Sequence, residues 1–376
     1  MTDEPLRIGA LGYRFMGEAH ANALQRLPTF FPSAPETELS VLVGRDEEAL
    51  AAAADRLGFE RTATDWREVV ETVDVFYNLG PNHLHVEPTV AALEADTHVL
   101  CEKPLAPTLE GARRVRGAAG DSDAVAGVAF NYRFLPATQY ARRLIAAGEL
   151  GEIRQVRGRY LQDWLSDPTA PWTWRTDAER AGSGALGDLG AHTFDLVRFL
   201  VGDRTGPIER VSGHLRTFTE ERPVEEGDPE TRPVTVDDAY SAQVAFANGA
   251  MGTLEASRVA EGHHNDHTVA IHGTAGSLEF SLERLNELRV QTGEARGYET
   301  VLVTDESDPY VDHWWPPGHV LGWEHAFVHE NYEFLSAVAA EESFAPSVAD
   351  GVAVQRLLDA VERADERGEW VRVDGE

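Results

Sequence analysis

Lysine is almost missing from this chain of 376 residues: Lys103 is the single one, although basic residues number 33. Arginine holds its proton at any useful pH, whereas lysine is a compact donor whose pKa moves on burial. Compositional drift would leave a last lysine anywhere. This one follows an apolar run, His98-Val99-Leu100, and precedes Pro104, which fixes the turn and biases Lys103 towards extended backbone. Cysteine is equally scarce. The lone Cys101 excludes an intrachain disulfide framework and any cysteine-based zinc site. No run approaches the roughly 18 apolar residues of a membrane span, and Met1 to Pro5 is polar, unlike a secretory leader. The cytoplasm is therefore the expected location.

Basic charge is also short. Acidic residues number 64, and the formal net charge is −31. Nucleic acid and anionic membrane would be repelled, so neither is expected as a partner. The acids are spread through every segment, which reads as adaptation to a high-salt cytoplasm where the Debye length falls to about 3 Å. An acidic face for a basic partner is the alternative.

What is present is enough for proper cores, with 42% hydrophobic residues, and the length suits two domains. Strands expected at 6–11, 39–43, 73–78, 98–101 and 125–130 alternate with helices expected at 18–27, 47–57, 86–95 and 109–119. A Pro-containing loop is expected from Pro28 to Thr37. This alternation predicts a parallel, doubly wound α/β sheet over residues 1–130. From 131 to 376 the rhythm changes. A helix at 136–147 and a strand at 153–161 precede strands expected at 208–217, 239–246, 251–257, 268–273, 276–280, 287–291 and 298–303. Helices at 324–340 and 348–367 and a last strand at 370–373 complete an α+β domain with a largely antiparallel sheet. Glu220 to Arg232 reads as a surface loop.

Two stretches carry chemistry. After the first strand, Gly12 and Gly17 occupy the first and third places of a dinucleotide turn. Arg14 stands where the second glycine belongs, so its side chain must swing aside or pair with a phosphate. The second strand ends in Gly44-Arg45-Asp46. Arg45 suits adenine stacking or a 2′-phosphate, which admits NADP; Asp46 suits the ribose of NAD; a solvated Arg45 explains the pattern too. Farther on, Asp188 and His192 stand four apart, on one face of a helix starting near Gly187. A carboxylate beside an imidazole makes a general base near neutral pH, and a surface Asp–His pair is the plain alternative. His263, His264, His267 and His325 lack an obvious carboxylate shell, so they are read as loop or pocket residues and no metal is expected.

These residues resemble the glucose–fructose oxidoreductase, inositol dehydrogenase and rhizopine-catabolism (Gfo/Idh/MocA) family. The resemblance runs along nearly the whole chain: Gly12…Phe15-Met16-Gly17-Glu18-Ala19-His20, Pro81-Asn82…His85, Glu102-Lys103-Pro104, Asn131-Tyr132-Arg133…Pro136, and Gly187-Asp188…His192…Asp195. Glu-Lys-Pro followed at this distance by Asp-xxx-His is the specific part. The resemblance implies a Rossmann domain followed by an open, mostly antiparallel sheet used for dimer or tetramer contacts. It also implies an NAD(P)-dependent dehydrogenase that oxidises a ring hydroxyl of a sugar, anhydrosugar or polyol. Its catalytic set would be Lys103, Asp188 and His192, with His192 taking the hydroxyl proton and Lys103 bonding the same oxygen. Gly12, Arg14, Phe15, Met16, Gly17, Arg45, Asp46, Pro81, Asn82, His85, Glu102 and Lys103 would meet NAD or NADP. Asn131, Arg133, Gln162, Trp164, Trp174 and Arg175 would meet the carbohydrate, although core or interface positions explain the tryptophans as well. An NAD-dependent glycosidase working through transient oxidation is a rival; so is a non-catalytic sugar and dinucleotide sensor, which would not need the Lys–Asp–His set.

Overall fold

The computed structural model describes residues 4–373. Its first strands are β1 (Leu6–Leu11), β2 (Thr37–Val43), β3 (Arg61–Ala63), β4 (Val75–Asn78), β5 (His98–Glu102) and β6 (Ala126–Ala129). Helices α1 (Phe15–Phe30), α2 (Glu47–Leu57), α3 (Val86–Glu94) and α4 (Leu109–Gly120) connect them. The six strands form one sheet in the order β3-β2-β1-β4-β5-β6, parallel throughout. This order reverses between β1 and β4, the place where such sheets bind ligands at their carboxyl ends. β4 and β5 are buried almost throughout, as a sheet covered on both faces requires. Helix α1 runs through Pro28 to Phe30 instead of stopping before it. The three-residue β3 was not foreseen, since so short an edge strand has no periodicity to show.

The rest of the chain gives α5 (Pro136–Ala146), β7 (Ile153–Leu161), α6 (Ala178–Ala181), α7 (Ala191–Thr205), β8 (Ile208–Arg216), β9 (Glu221–Pro223) and β10 (Thr231–Pro233). Next come β11 (Ala239–Phe246), β12 (Met251–Ser257), β13 (Asp266–Gly273), β14 (Gly276–Ser281), β15 (Glu287–Thr292) and β16 (Glu299–Leu302). The chain ends with α8 (His325–Ala340), α9 (Val348–Arg367) and β17 (Val371–Arg372). Nine strands make a sheet in the order β16-β15-β14-β13-β7-β12-β11-β8-β17; β7 and β12 run parallel, and the other pairs are antiparallel. β9 and β10 form a small hairpin of their own, so the stretch expected as a plain loop carries paired backbone.

The chain divides into two compact units. One holds the residues up to Asn131 together with Trp323–Ala353; the other holds Tyr132–Gly322 and the residues from Val354 on. The late segment does not stay with the second unit: α8 returns to pack on α1, with Phe31 against Tyr332 and His20 against Phe327. Apolar faces on two distant helices bury each other, and nothing local in the sequence announces the pairing. Among the described residues no helix is long and apolar enough to cross a membrane.

Candidate active site

In the first unit the glycine turn is set by steric need. Gly12 has φ +106°, and a β-carbon there would lie 2.6 Å from the Leu79 carbonyl oxygen at the end of β4. A β-carbon on Gly17 would overlap the Gly12 carbonyl oxygen. Helix α1 begins here with Arg14 as its N-cap and no side chain capping it, which leaves the amides of the first turn facing outward, as a phosphate requires. The residues present therefore fit a dinucleotide. Arg14 is exposed, so it has swung aside. With Tyr13, Phe15, Glu18 and Arg56 it lines a depression of about 370 Å³. Phe15 is 62% exposed and stacks on Trp323 at 5.4 Å.

Tyr13 lies over Gly44, where a β-carbon would overlap its ring. Arg45 is exposed. Asp46 is drawn into the helix instead: it is the N-cap of α2 and accepts from the Ala49 amide at 3.0 Å. Pro81 starts the short turn Asn82–Leu84.

The three charged or polar residues around Lys103 form a support. His20 Nε2 donates to Glu102 Oε1 (3.3 Å), while its Nδ1 accepts from the Asn331 amide (3.1 Å), which fixes the tautomer. The other Glu102 oxygen accepts from the Lys103 backbone N–H at 3.0 Å. Burial pushes the Glu102 carboxyl up, but the His20 hydrogen bond and the nearby Lys103 charge outweigh it, and its pKa falls below the ordinary value. His85 places Nδ1 2.6 Å from the Pro104 carbonyl and Nε2 2.9 Å from that of Gly80. Both ring nitrogens of His85 are thus engaged inside the protein. These two contacts join the residues that follow β4 and β5. Burial pulls the His85 pKa down against the pull of its two carbonyls. Lys103 is half-buried. Burial pushes the Cys101 thiol up to about 12, which makes it inert at neutral pH. Asn131, 3% exposed, has a buried Nδ2 with no hydrogen-bond partner among the described residues.

In the second unit, Leu186–Gly190 forms a π-helical turn that leads into α7. Such single turns are rare and often mark functional sites. Asp188 is half-buried, and its charge raises the pKa of Tyr160, after burial and the neighbouring Tyr132. His192, 8% exposed, has its ring 4.7 Å from Tyr132 and 6.0 Å from Tyr160. The two tyrosine hydroxyls meet at 2.9 Å; Tyr160 donates on to Asn265 Oδ1 at 2.7 Å, as does the Gln162 amide at 2.9 Å. His267 stacks on Tyr160 at 4.6 Å, and burial holds its pKa down at about 3. It is therefore neutral.

Tyr160 and Asn265 were not expected near His192, Tyr132 was noted only as part of a motif, and His267 only as a loop or pocket residue. The available signal was alternation: Tyr160 and His267 continue the buried sides of β7 and β13. Arg133 is paired inside the second unit. Its Nε donates to Asp195 at 2.8 Å, its Nη2 bonds the other oxygen, and the residue is only 6% exposed. The guanidinium ties the chain before α5 to α7, which holds Tyr132 against His192. Trp164 is 40% exposed, and Arg175 stacks over Trp174 at 4.4 Å. His263 pairs with Asp266 at 2.9 Å.

Comparison with known proteins matches residues 6–130 to an oxidoreductase family with an NAD-binding Rossmann fold and residues 138–279 to the GFO/IDH/MocA C-terminal domain. The chain belongs to the GFO/IDH/MocA oxidoreductase family. Levoglucosan dehydrogenase of Pseudarthrobacter phenanthrenivorans is 39% identical over 98% of each chain. The crystal structure of an oxidoreductase domain protein from Kribbella flavida is 45% identical, with TM-score 0.94 over 99% of this chain and 100% of its own. A structure of levoglucosan dehydrogenase in complex with NADH and levoglucosan is 40% identical, also with TM-score 0.94 and the same coverage. This family member thus carries an NAD-binding Rossmann domain followed by a mixed, mostly antiparallel sheet domain.

Proposed function

We propose that this oxidoreductase removes hydride from a ring carbon of an anhydrosugar or closely related sugar or polyol. The observation that supports it most is the His192 environment: a buried imidazole packed against Tyr132 on the segment that also carries Asp188, in a chain similar end to end to levoglucosan dehydrogenase. His192 takes the hydroxyl proton, and Asp188 stabilises the imidazolium that results. Lys103 donates to the substrate oxygen and offsets negative charge as it develops. The Glu102 carboxylate holds the Lys103 backbone in place through a 3.0 Å hydrogen bond. Gln162, Trp164, Trp174 and Arg175 bind the ring: the indoles offer apolar faces and the polar groups meet hydroxyls. Neutral His267 and the linked tyrosines keep the His192 surroundings dry. NAD, when bound, supplies the hydride acceptor, with the Gly12–Gly17 turn and the open end of α1 holding its phosphates.

The assembly that goes with this reading is a homo-oligomer, dimer or tetramer, built on the open sheet where Met251 and Leu302 stand exposed. The location that goes with it is the cytoplasm, whose reducing poise suits a single buried thiol.

The test is absorbance at 340 nm in molar KCl with NAD or NADP and levoglucosan, other anhydrosugars, sugars and inositols. A rise with one ring-alcohol class supports the proposal and reads the cofactor preference directly. Turnover of a glycoside without net cofactor reduction would replace it by the glycosidase mechanism.

A further inference from the structure

Two arginines in the second unit, Arg222 and Arg258, have no exposed surface. Long charged side chains are rarely buried so completely unless they are paired or hydrogen-bonded. Their contacts are mostly backbone carbonyls, all but one of them between Leu165 and Arg175. Arg222 donates to Leu165 at 2.7 Å and to Asp167 at 2.9 Å. Arg258 donates to the Arg175 carbonyl at 3.0 Å and to the Asp237 carbonyl at 2.9 Å. Its guanidinium also lies under the Trp164 ring, 5.7 Å from the centroid.

Asp237 faces the other way. Its carboxylate accepts from the Gly184 amide at 2.7 Å and the Leu186 amide at 2.9 Å, and its carbonyl accepts from the Ala185 amide. These residues open the turn that carries Asp188 and leads to His192. Gly184 is needed at this junction: a β-carbon would overlap the Asp237 carbonyl and come within 2.7 Å of the Arg258 guanidinium. One buried pair thus touches the loop that bears Trp164 and Arg175 and also the turn that bears Asp188.

We propose that Arg258 and Asp237 are positioning residues that fix the spacing between the Trp164–Arg175 loop and the Asp188–His192 turn, and so set which ring sizes the site accepts. This rests on the proposed sugar-dehydrogenase reading for its substrate, but its structural part does not. A planar fork bridging two carbonyls sets a distance that a neutral side chain cannot. A shift of the loop alters how the ring is held while the acid–base residues stay in place. Uniform binding is lost, which raises KM more than it lowers kcat.

The experiment compares Arg258→Met and Arg258→Lys with the natural enzyme, using the full-length protein. Three readouts are taken: steady-state kinetics on levoglucosan and on a smaller, five-membered ring alcohol such as 1,4-anhydroerythritol, NADH affinity by fluorescence, and amide hydrogen exchange. Arg258→Met should raise KM for levoglucosan on the order of tenfold with little change in kcat, and change the preference between the two substrates. NADH affinity should stay as it was, and Arg258→Lys, which keeps the charge but not the planar fork, should recover only a minor part of the loss. Amides of residues 162–176 and 184–188 should exchange faster, with those of β7 and β11 unchanged. An equal loss on both substrates, without a change in KM, would overturn the proposal; so would unaltered exchange in the loop. If Arg258→Met does not fold, Arg258→Lys and Asp237→Asn carry the same readouts. If the natural enzyme oxidises no ring alcohol, the functional reading fails, and hydrogen exchange alone decides the structural part.

Discussion

Lys103 and His267 show two ways in which neighbours set what a single side chain does. Lys103 is held by its own backbone: Glu102, itself fixed by His20, accepts the Lys103 N–H. The ammonium at the end of the side chain is left to act as a compact donor. Arginine would put a wide planar fork in its place. Lys103→Arg should bind NADH as the natural enzyme does and lose kcat by about 10²-fold or more, the usual cost of removing one charge-stabilising donor. Stopped-flow turnover beside fluorescence titration checks it, and near-natural turnover would end the assigned role. His267 is buried neutral, with a folded pKa of about 3 against an ordinary 6.5. As pH falls below the ordinary value, the unfolded chain takes up a proton that the folded chain refuses. The stability of the neutral ring is therefore complete above that value and lost as pH falls towards 3. The slope is about 1.4 kcal/mol per pH unit while only the unfolded state is protonated. In His267→Gln, urea unfolding between pH 6 and 4 should be less steeply pH-dependent by one proton; equal slopes would mean that the folded imidazole is already charged.

Elements differ in how plainly they are written in the chain. Helix α9 and strand β7 lie at the residues expected of them, because β7 alternates from Val156 onward and α9 keeps a helical stripe; both are local signals. The dinucleotide turn was legible because a strand, two obligatory glycines and a helix follow one another without a gap. Lys103, Asp188 and His192 were singled out by the lone lysine, by the four-residue spacing and by a family resemblance, and their roles belong to the proposed function. What remained hidden depends on partners far away in sequence. The return of α8 to α1 joins segments about three hundred residues apart, and the ring cluster around His192 assembles Tyr132, Tyr160 and His267 from separate elements. Arg133 depends on such a distant partner: its fork is filled by Asp195 on α7. Removing one partner of such a buried pair leaves an uncompensated charge. Asp195→Ala should cost about 3–5 kcal/mol of unfolding free energy. The paired replacement of Arg133 by Met and Asp195 by Leu should restore much of it, as hydrophobic pairs often do. A urea series on the three variants decides; full stability of the single variant would mean that the pair only fixes Tyr132 in place.

At the scale of the whole molecule the charge dominates. With 64 acidic and 33 basic residues, acids outnumber bases nearly two to one, and the net charge of −31 opposes the compact state by self-repulsion. Salt shortens the range of that repulsion, from about 10 Å at 0.1 M to about 3 Å at 1 M. Raising KCl from 0.1 to 2 M at pH 7.5 should therefore raise Tm, and by less at pH 4.5, where part of the carboxylate charge is already neutralised. A neutral osmolyte run in parallel separates screening from exclusion at the surface; a flat KCl series would sink the charge argument. The same field acts on the cofactor, because NAD approaches with its own phosphate charge. Arg14 and Arg45 stand exposed beside the glycine turn, and Arg56 is held there by Glu18 at 2.9 Å, so the approach is locally basic on a strongly acidic surface. Two outcomes then separate two distances. If KM for NAD falls with KCl alongside the rise in Tm, the distant carboxylates reach the turn and the arginines do not offset them. If KM rises with KCl while Tm still climbs, the near arginines govern capture and the distant acids govern only folding; Arg14→Gln should then raise KM at low salt and flatten its salt dependence.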